Sequence, residues 1–363
     1  MHATEAHAEA DRLMTLCNSC RYCEGLCAVF PAMEMRRSFA DADLDYLANL
    51  CHSCGACYVD CQFSPPHEFN INVPRTMALV RGASYATYAW PQALSGVFVR
   101  NGLALSAALA TGVAAFMYGF GSSPEFFTAQ AGAGAFYRIM PHTVMAALFG
   151  IAFLCAIAAL AVSVGRFWRG IGGAGAARGS LWQAVKDAAS LRYLDGGGAG
   201  CVNVENGPPG GSQRDLRKHY HHATFYGFLL CLAATCVGTL YHFLLGREAP
   251  YPWYDLPVVL GTLGGIGLTV GPIGLLAAKA RREDNLKVAS QAGMDTGFLV
   301  MLLVTAVTGL MLLALRATAA MHALLALHLG VVFALFVTMP YGKFVHGLYR
   351  FAALVRYAQE RRH

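Results

Sequence analysis

Six long apolar stretches dominate the pattern of hydrophobic and polar positions along this chain. They lie near residues 102–120, 141–165, 222–245, 255–278, 296–315 and 321–345, and each is close to the roughly 20 residues that a helix needs to cross the hydrocarbon core of a membrane. Residues 1–75 differ, with frequent charges and clustered cysteines. The pattern predicts a mainly α protein, with a head at 1–75, a connector at 76–101 and a membrane domain of six spanning helices at 102–363.

Composition supports a membrane protein and excludes an ordinary soluble one. Of the 363 residues, 56% are hydrophobic and only 13% are charged, whereas soluble domains carry about 25% charged residues. A net charge of +6 raises the possibility of a nucleic-acid partner. The basic residues, however, are scattered at the ends of the apolar stretches, so we expect no nucleic acid to bind.

The connections between the stretches predict the orientation of the bundle. Those after the second, fourth and sixth stretches are rich in Lys and Arg, whereas the opposite connections hold only Arg138, Arg247 and Arg316. The positive-inside rule therefore predicts a multi-pass protein of the cytoplasmic (inner) membrane, with both termini and the loop 166–221 in the cytoplasm. The cysteines follow no signal peptide, which agrees with a reducing compartment. The connector aromatics Tyr85 and Tyr88, with Trp90, are expected at the membrane surface.

Eight of the twelve cysteines form two copies of the motif C-x2-C-x2-C-x3-C, 34 residues apart. This is the ligand pattern of two-cluster bacterial ferredoxins, in which the fourth cysteine of each copy serves the other cluster. Zinc fits poorly, because zinc sites use paired C-x2-C elements with four ligands in total. The spacing predicts two [4Fe–4S] clusters, one bound by Cys17, Cys20, Cys23 and Cys61 and the other by Cys51, Cys54, Cys57 and Cys27.

The residues that follow each motif copy indicate a docked domain. Ferredoxin runs usually place proline after the fourth cysteine, but Ala28 and Gln62 stand there in this chain. This departure favours a helical ferredoxin domain within a larger complex over a free electron carrier. The stretch between the copies is predicted to be a helix with Asp41 or Asp43 as its cap.

Histidines in the third and sixth stretches predict haem ligands. His328 and His346 are 18 residues apart, so they would share one face of a continuous helix. The third stretch runs antiparallel, with His221 at its cytoplasmic start and His242 near its outer end. Matching levels predict two b-type haems, one between His242 and His328 and one between His221 and His346.

Several assignments in the membrane part stay open at this point. His222 is an alternate for His221, which the helical phase favours, and His142 is a spare candidate. An interfacial histidine bonded only to backbone or to lipid headgroups is the ordinary alternative. Glycines in the fourth stretch indicate close helix packing, or room for a macrocycle. Residues 180–194 are predicted to form an amphipathic surface helix, and Cys201 has no ligand partner at suitable spacing.

Four segments together resemble a known family: 17–37, 49–75, 221–231 and 340–358. They are similar to the tricarballylate (or citrate) utilisation protein B family, which also forms the C-terminal half of a flavin-containing cobalamin-biosynthesis oxygenase. The resemblance covers nearly the whole chain. It implies a membrane protein with two [4Fe–4S] clusters, carried by the eight cysteines, and b-type haem. It also implies a soluble FAD-dependent dehydrogenase of tricarballylate as the partner whose reduced flavin is reoxidised.

The residues themselves predict the same electron flow. The chain shows no flavin or nucleotide fold and no identifiable catalytic residue, so the two-electron donor is expected to be another protein docking on the head. We predict the electron-transfer subunit of an oxidoreductase complex, from FADH2 through the clusters and haem b of a cytochrome-b-like bundle to quinone as substrate. Two alternatives remain. One is a quinol-fed reductase subunit resembling heterodisulfide reductase, and the other is a membrane redox sensor.

Overall fold

The computed structural model describes residues 2–361 except 99, 122, 125, 130, 174–177, 195 and 197–215. Cys201 and most of the glycine-rich loop around it lie outside the described residues. Within the described ranges the chain is helical and contains no strand. The helices there are α1 (Glu5–Cys20), α2 (Val29–Glu34), α3 (Asp41–Leu50), α4 (Ala56–Val59), α5 (Val73–Tyr88), α6 (Asn101–Gly121), α7 (His142–Gly170), α8 (Arg178–Ala189), α9 (Leu216–Leu245), α10 (Leu256–Ala280), α11 (Ala289–Leu315), α12 (Met321–Thr338) and α13 (Val345–Glu360).

The head is built from α1 to α5. Helices α1, α3 and α5 pack against one another through apolar side chains such as Leu13, Leu47 and Met77, which have no exposed surface. The helix predicted between the two cysteine motifs is α3. Its N-cap is Ala40, so the prediction of Asp41 or Asp43 as the cap was wrong; the Asp43 carboxylate lies in the first turn and accepts the backbone N–H of Ala40. Because α5 belongs to this core, the head packing continues to residue 88, beyond the predicted boundary at 75.

The aromatic residues expected at the membrane surface do not all lie there. Tyr85 is 1% exposed and packs edge-on against Tyr349, with ring centroids 5.5 Å apart. The hydroxyl of Tyr88 donates to Asp45 at 2.9 Å inside the head. Only Trp90 keeps a largely exposed ring, at 39%. The expectation was wrong for both tyrosines, because α5 turns its aromatic face into the head.

Six helices are long and apolar enough to cross a membrane, each 21 to 30 residues in length. They are α6, α7, α9, α10, α11, and α12 with the short 3-10 segment that follows it. These correspond in order to the six predicted stretches, and the fold is therefore a helical head followed by a bundle of six apolar helices. Helix α8 lies between the second and third of them and packs on α13. It forms the first part of the predicted surface helix at 180–194.

The sixth predicted span ends earlier than expected. Helix α12 stops at Thr338, a 3-10 turn covers Met339–Tyr341, and Gly342 is extended with φ −128° and ψ −169°. Pro340 lacks the N–H that would continue the helical ladder, and the chain becomes helical again only at Val345. The prediction of one helix to residue 345 was wrong. His328 and His346 therefore lie on separate helices and do not share one helical face.

Helices α9 and α10 form the closest contact in the bundle. Gly227 of α9 faces Gly264 and Gly267 of α10, and a Cβ added at Gly227 would lie 2.9 Å from the Gly264 carbonyl oxygen. Further along, Gly271 and Gly274 face α9 in the same way. Small residues let two backbones approach in this manner. The glycines of the fourth stretch thus serve helix packing, which was one of the two predicted roles.

The C-terminal helix α13 packs into the head. Tyr349 stacks on Phe167 of α7 with ring centroids 4.6 Å apart and nearly parallel planes. At the end of the helix, Glu360 pairs with Arg36 and accepts the hydroxyl of Tyr46 at 2.8 Å. Residues between 349 and 357 of α13 share one buried core with α1, α2, α3 and α5. The head is therefore completed by the last helix of the chain.

Candidate metal centres

The first predicted set of four cysteines surrounds one cavity of about 400 Å³. Cys17 and Cys20 stand in the last turn of α1, Cys23 in the loop that follows, and Cys61 just after α4. We call this cavity with its four cysteines the outer site. Its wall also contains Asp60. The spacing-based assignment of Cys61 to the first motif copy agrees with this arrangement.

The second predicted set lines a separate cavity, which we call the inner site. Its cysteines are Cys27, Cys51, Cys54 and Cys57. His52, which follows Cys51 within the motif, and Tyr193 from outside the motif also line the wall. The structure therefore brings the eight cysteines together in the two crossed groups that the ferredoxin pattern predicts.

The two motif copies share one backbone turn. Arg21 follows the second cysteine of the first copy with φ 56°, and Gly55 occupies the equivalent place in the second copy with φ 94°. This left-handed conformation turns the chain so that the third cysteine comes back toward the first two. At Gly55 a Cβ would also lie 2.7 Å from Cδ1 of Leu286. A side chain at this position would push against the loop after α10.

The electrostatics of both sites suit a group that binds thiolates. Burial, followed by the neighbouring thiols Cys23, Cys61 and Cys20, raises the pKa of Cys17 to about 12. Burial raises the pKa of Cys57 well above its usual value too, and Cys27 is the next cause. Because the four thiols lie so close together, they stay protonated until a metal binds. Metal binding then releases these protons.

The donor set fits iron–sulfur clusters better than single ions. All eight motif cysteines are free thiols. Among the described residues, no group of three or more His, Cys, Asp or Glu side chains is arranged to hold one metal ion. Cysteines that face one another across a cavity suit a multi-atom iron–sulfur core. Cys17, Cys20, Cys23 and Cys61 could hold one such cluster, and the inner four the other.

The two sites differ in exposure to solvent. Cys20 of the outer site is exposed, and the adjacent Tyr22 ring is 73% exposed. Cys51 of the inner site is 7% exposed, and the inner cavity is covered by residues 193 and 196 of the segment after α8. The outer site therefore faces away from the bundle, and the inner site faces toward it.

His221 and His346 form the closest match to a haem ligand pair. Their ring centroids are 6.1 Å apart and the planes make an angle of 75°. Two imidazoles that bound one metal ion, with metal–nitrogen bonds of about 2.0–2.1 Å and roughly 1.1 Å from nitrogen to ring centre, would have ring centres about 6.3 Å apart. The Nδ1 atom of His221 is buried with no hydrogen-bond partner among the described residues. Both observations fit one bis-histidine haem at the head end of the bundle.

The hydrogen bonds around this pair determine which ring nitrogen atoms keep a lone pair for binding a metal. Nδ1 of His346 faces the Lys343 carbonyl oxygen, which only accepts, so Nδ1 carries the proton and Nε2 keeps its lone pair. This is the orienting contact that metal-binding histidines usually make. His222 instead places Nε2 3.2 Å from the Ala189 carbonyl oxygen of α8. The geometry thus supports His221 over its alternate His222.

The other predicted pair is not brought together in the same way. His242 stacks on His142, with ring centroids only 3.4 Å apart, which is too close for an iron between the rings. His328 lies beside Thr308, 2.9 Å from its hydroxyl oxygen. In the described part of the chain there is no ring contact between His242 and His328. A second haem on that pair stays a prediction.

Sequence reasoning missed the contacts that connect the inner site to the histidine pair. Arg350, one turn after His346 on α13, donates to the Cys51 carbonyl oxygen at 2.8 Å. Burial lowers the pKa of His52, and the charges of Arg350, Arg217, His221 and Arg81 lower it further. The position of His52 directly after Cys51 was the only sequence signal, because the partners come from distant elements.

Comparisons with known proteins agree with this architecture. The family model described as "Citrate utilization protein B" matches residues 96–363, and "Citrate utilization protein B Fer4-like domain" matches residues 10–87. A curated protein from Escherichia coli, "Citrate utilization protein B", is 49% identical over 360 residues, covering 99% of this chain and 94% of its own length. No solved structure matches significantly. The chain therefore belongs to the citrate utilization protein B family.

Proposed function

We propose that this chain takes electrons from the reduced FAD of a soluble dehydrogenase and delivers them to membrane quinone, using two [4Fe–4S] clusters and haem b as carriers. The observation that carries the proposal is the direct link between the inner site and the histidine pair. Arg350 donates to the Cys51 carbonyl oxygen from the same face of α13 that carries His346, four residues away. A continuous series of redox sites thus runs from the exposed end of the head into the bundle.

The electron balance requires carriers of this kind. Oxidation of FADH2 releases two electrons and two protons, and reduction of a quinone to a quinol consumes the same number. Iron–sulfur clusters and haem accept one electron at a time, so they separate the pair and pass it on singly. The chain itself supplies the cysteine cavities and the histidine pair. We propose that the termini and the head lie in the cytoplasm, as the basic loops predict.

We propose the rim of the outer site as the docking face for the dehydrogenase. Cys20 is exposed there, and Tyr22 and Val59 present uncovered apolar surface, at 73% and 42%. Asp60 lines the same cavity. The name of the Escherichia coli relative points to citrate utilisation. We therefore propose a tricarboxylate, citrate or tricarballylate, as the substrate of the partner.

Optical and chemical analysis of the purified full-length protein tests the proposal. A dithionite-reduced minus oxidised spectrum should contain b-type haem bands, and iron and acid-labile sulfide should correspond to two clusters. Cys54→Ser should lose about half of the sulfide and stop haem reduction by the reduced flavoprotein. Cys155→Ser is the matched control, because Cys155 is an exposed cysteine of α7 that lines neither cavity. We expect it to behave as the parent protein.

Three outcomes would contradict the proposal or favour its alternatives. A spectrum without haem bands would refute the proposal that haem b carries electrons from the clusters to quinone. Haem that the flavoprotein reduces but quinone does not reoxidise favours the redox sensor. Clusters that quinol reduces faster than the flavoprotein does favour the quinol-fed reductase.

A further inference from the structure

Helix α8 turns polar side chains inward and apolar side chains outward. Ser180 and Asp187 are only 1% and 6% exposed, whereas Leu181, Trp182 and Val185 are 43%, 61% and 38% exposed. The last three lie within one turn on one side of the helix, and we call them the apolar face of α8. A helix at a boundary between protein and water normally has the reverse arrangement, with its polar side outward.

The inward side of α8 already has its partners. The helix packs on α13, and Ala184 has no exposed surface. The Asp187 carboxylate accepts Nε2 of Gln183 at 2.9 Å and pairs with Arg192 at 3.4 Å. These contacts satisfy the polar groups of that side. Within the described part of the chain, no element covers the apolar face to the same extent.

Contacts with α9 give the depth of α8 relative to the bundle. The Ala189 carbonyl oxygen at the end of α8 accepts the Tyr226 hydroxyl at 2.9 Å and lies 3.2 Å from Nε2 of His222. Tyr226 stands nineteen residues before Leu245, where α9 ends, which is a rise of about 28 Å. The hydrocarbon core of a membrane is about 30 Å thick. The end of α8 therefore lies at the level where the hydrocarbon meets the headgroups.

The apolar face continues into the lipid-facing surface of α9. Phe225 and Leu229 are 38% and 41% exposed one turn apart on α9, and the Phe225 ring lies 5.2 Å from that of Tyr226. At the other border, the exposed Lys186 places Nζ 5.3 Å from the centre of the Trp182 ring. Tryptophan with a neighbouring lysine is typical of the membrane–water interface, where the ring lies among headgroups and the ammonium reaches the phosphates.

We propose that the apolar face of α8 is buried in the membrane interface at the head end of the bundle, so that α8 anchors the head to the lipid surface. The partner is the bilayer itself, which buries the apolar side chains, with lipid phosphate facing Lys186. Because α8 packs on α13, and α13 completes the head core, this contact also fixes the height of the head above the membrane. The inference requires no cluster or haem.

Tryptophan fluorescence of the full-length protein in lipid nanodiscs tests the proposal. The discs contain equal parts of phosphatidylcholine and phosphatidylglycerol, with acyl chains that are either unmodified or brominated near the glycerol end. Subtracting the emission of Trp182→Phe from that of the parent protein isolates Trp182. Brominated lipid should quench this emission at least about twofold, and the water-soluble quencher acrylamide should reduce it much less.

A tryptophan on the far side of the head provides the matched control. Tyr22, at the rim of the outer site, is 73% exposed, and Tyr22→Trp made in the Trp182→Phe protein should respond to acrylamide and not to brominated lipid. Trp182 emission that acrylamide quenches and brominated lipid does not would overturn the inference and leave the apolar face as a docking surface for a soluble protein. Trp182 emission that neither quencher changes would also overturn it, because protein would then cover the ring.

Hydrogen exchange of α8 in the same nanodiscs gives a second, independent measurement. Val185→Glu puts a carboxylate on the apolar face and should accelerate exchange of the α8 amides about tenfold, because lipid disfavours the charge. Ser190→Glu, at an exposed position just after α8, should change the exchange less than about twofold. Equal rates in the two variants would contradict a lipid contact at the apolar face.

Discussion

Replacing Gly264 by alanine tests how closely α9 and α10 are packed. The new Cβ would lie 2.7 Å from Sγ of Cys231, and 2.8 Å from both the Cys231 nitrogen and the Gly227 carbonyl oxygen. Two of these three atoms belong to the α9 backbone and cannot rotate away. Gly261 provides the matched control on the same helix, because its Cβ would meet only Cβ of Ala234 at an ordinary 3.7 Å.

The magnitude follows from two opposing effects. Real Cβ atoms essentially never lie within 3.0 Å of another heavy atom, so all three Gly264→Ala contacts are too short. Overpacking of this kind costs about 1–3 kcal/mol, and rigid backbone partners favour the upper half of that range. Alanine in a helix interior recovers about 1 kcal/mol relative to glycine. We expect Gly264→Ala to be destabilised by about 1–2 kcal/mol, and Gly261→Ala to be as stable as the parent protein or more so.

Thermal unfolding of the purified proteins in one detergent, at one scan rate, measures this difference. Gly264→Ala should unfold several degrees below the parent protein and Gly261→Ala at or above it. The steric reasoning is refuted if both variants shift equally, because helix propensity alone would then account for both. Haem content provides a second readout, since separation of α9 from α10 also displaces His221, which α9 carries.

Three other predictions follow from the sites. His221→Ala and His346→Ala should each lose most of the haem absorbance at the head end, whereas His222→Ala should keep it, as measured by pyridine haemochrome analysis of the purified variants. In iron-free protein, alkylation of Cys17 should be slow at pH 8 and should accelerate as the pH rises toward its pKa of about 12, because only the thiolate reacts; mass spectrometry of the labelled peptide checks this. Asp295→Asn leaves two partly buried lysine partners unpaired and should lower stability by about 1–3 kcal/mol, measured as a lower thermal midpoint.

Features that depend on local spacing could be predicted from the sequence. The grouping of Cys61 with the first motif copy and of Cys27 with the second follows from a repeat whose two halves must bind similar groups. The six apolar helices follow from the length of each apolar stretch, and the helix between the motif copies begins with acidic residues in its first turn. In each case the deciding signal is a local pattern, either a repeated motif or the composition of one stretch.

Features that depend on packing between distant segments could not be predicted in the same way. Pro340 marked a weak point in the sixth stretch, but the separate helix after it exists because Tyr349 stacks on α7 and Glu360 pairs with the head. The partner of His242 is His142, one hundred residues earlier, which helical phase cannot identify. Hydrogen bonds from Arg217 to backbone carbonyl oxygens leave no sequence signature, because every residue has a carbonyl group.

The contribution of α13 to the head core has a consequence for biosynthesis. Domains usually fold as units during translation, N-terminal part first. In this protein the first 88 residues emerge from the ribosome early, but part of their buried core is supplied by residues between 349 and 357. The head therefore reaches its final packing only after all six apolar helices have been made. Iron–sulfur delivery must act on the finished chain, or on a head held open until then.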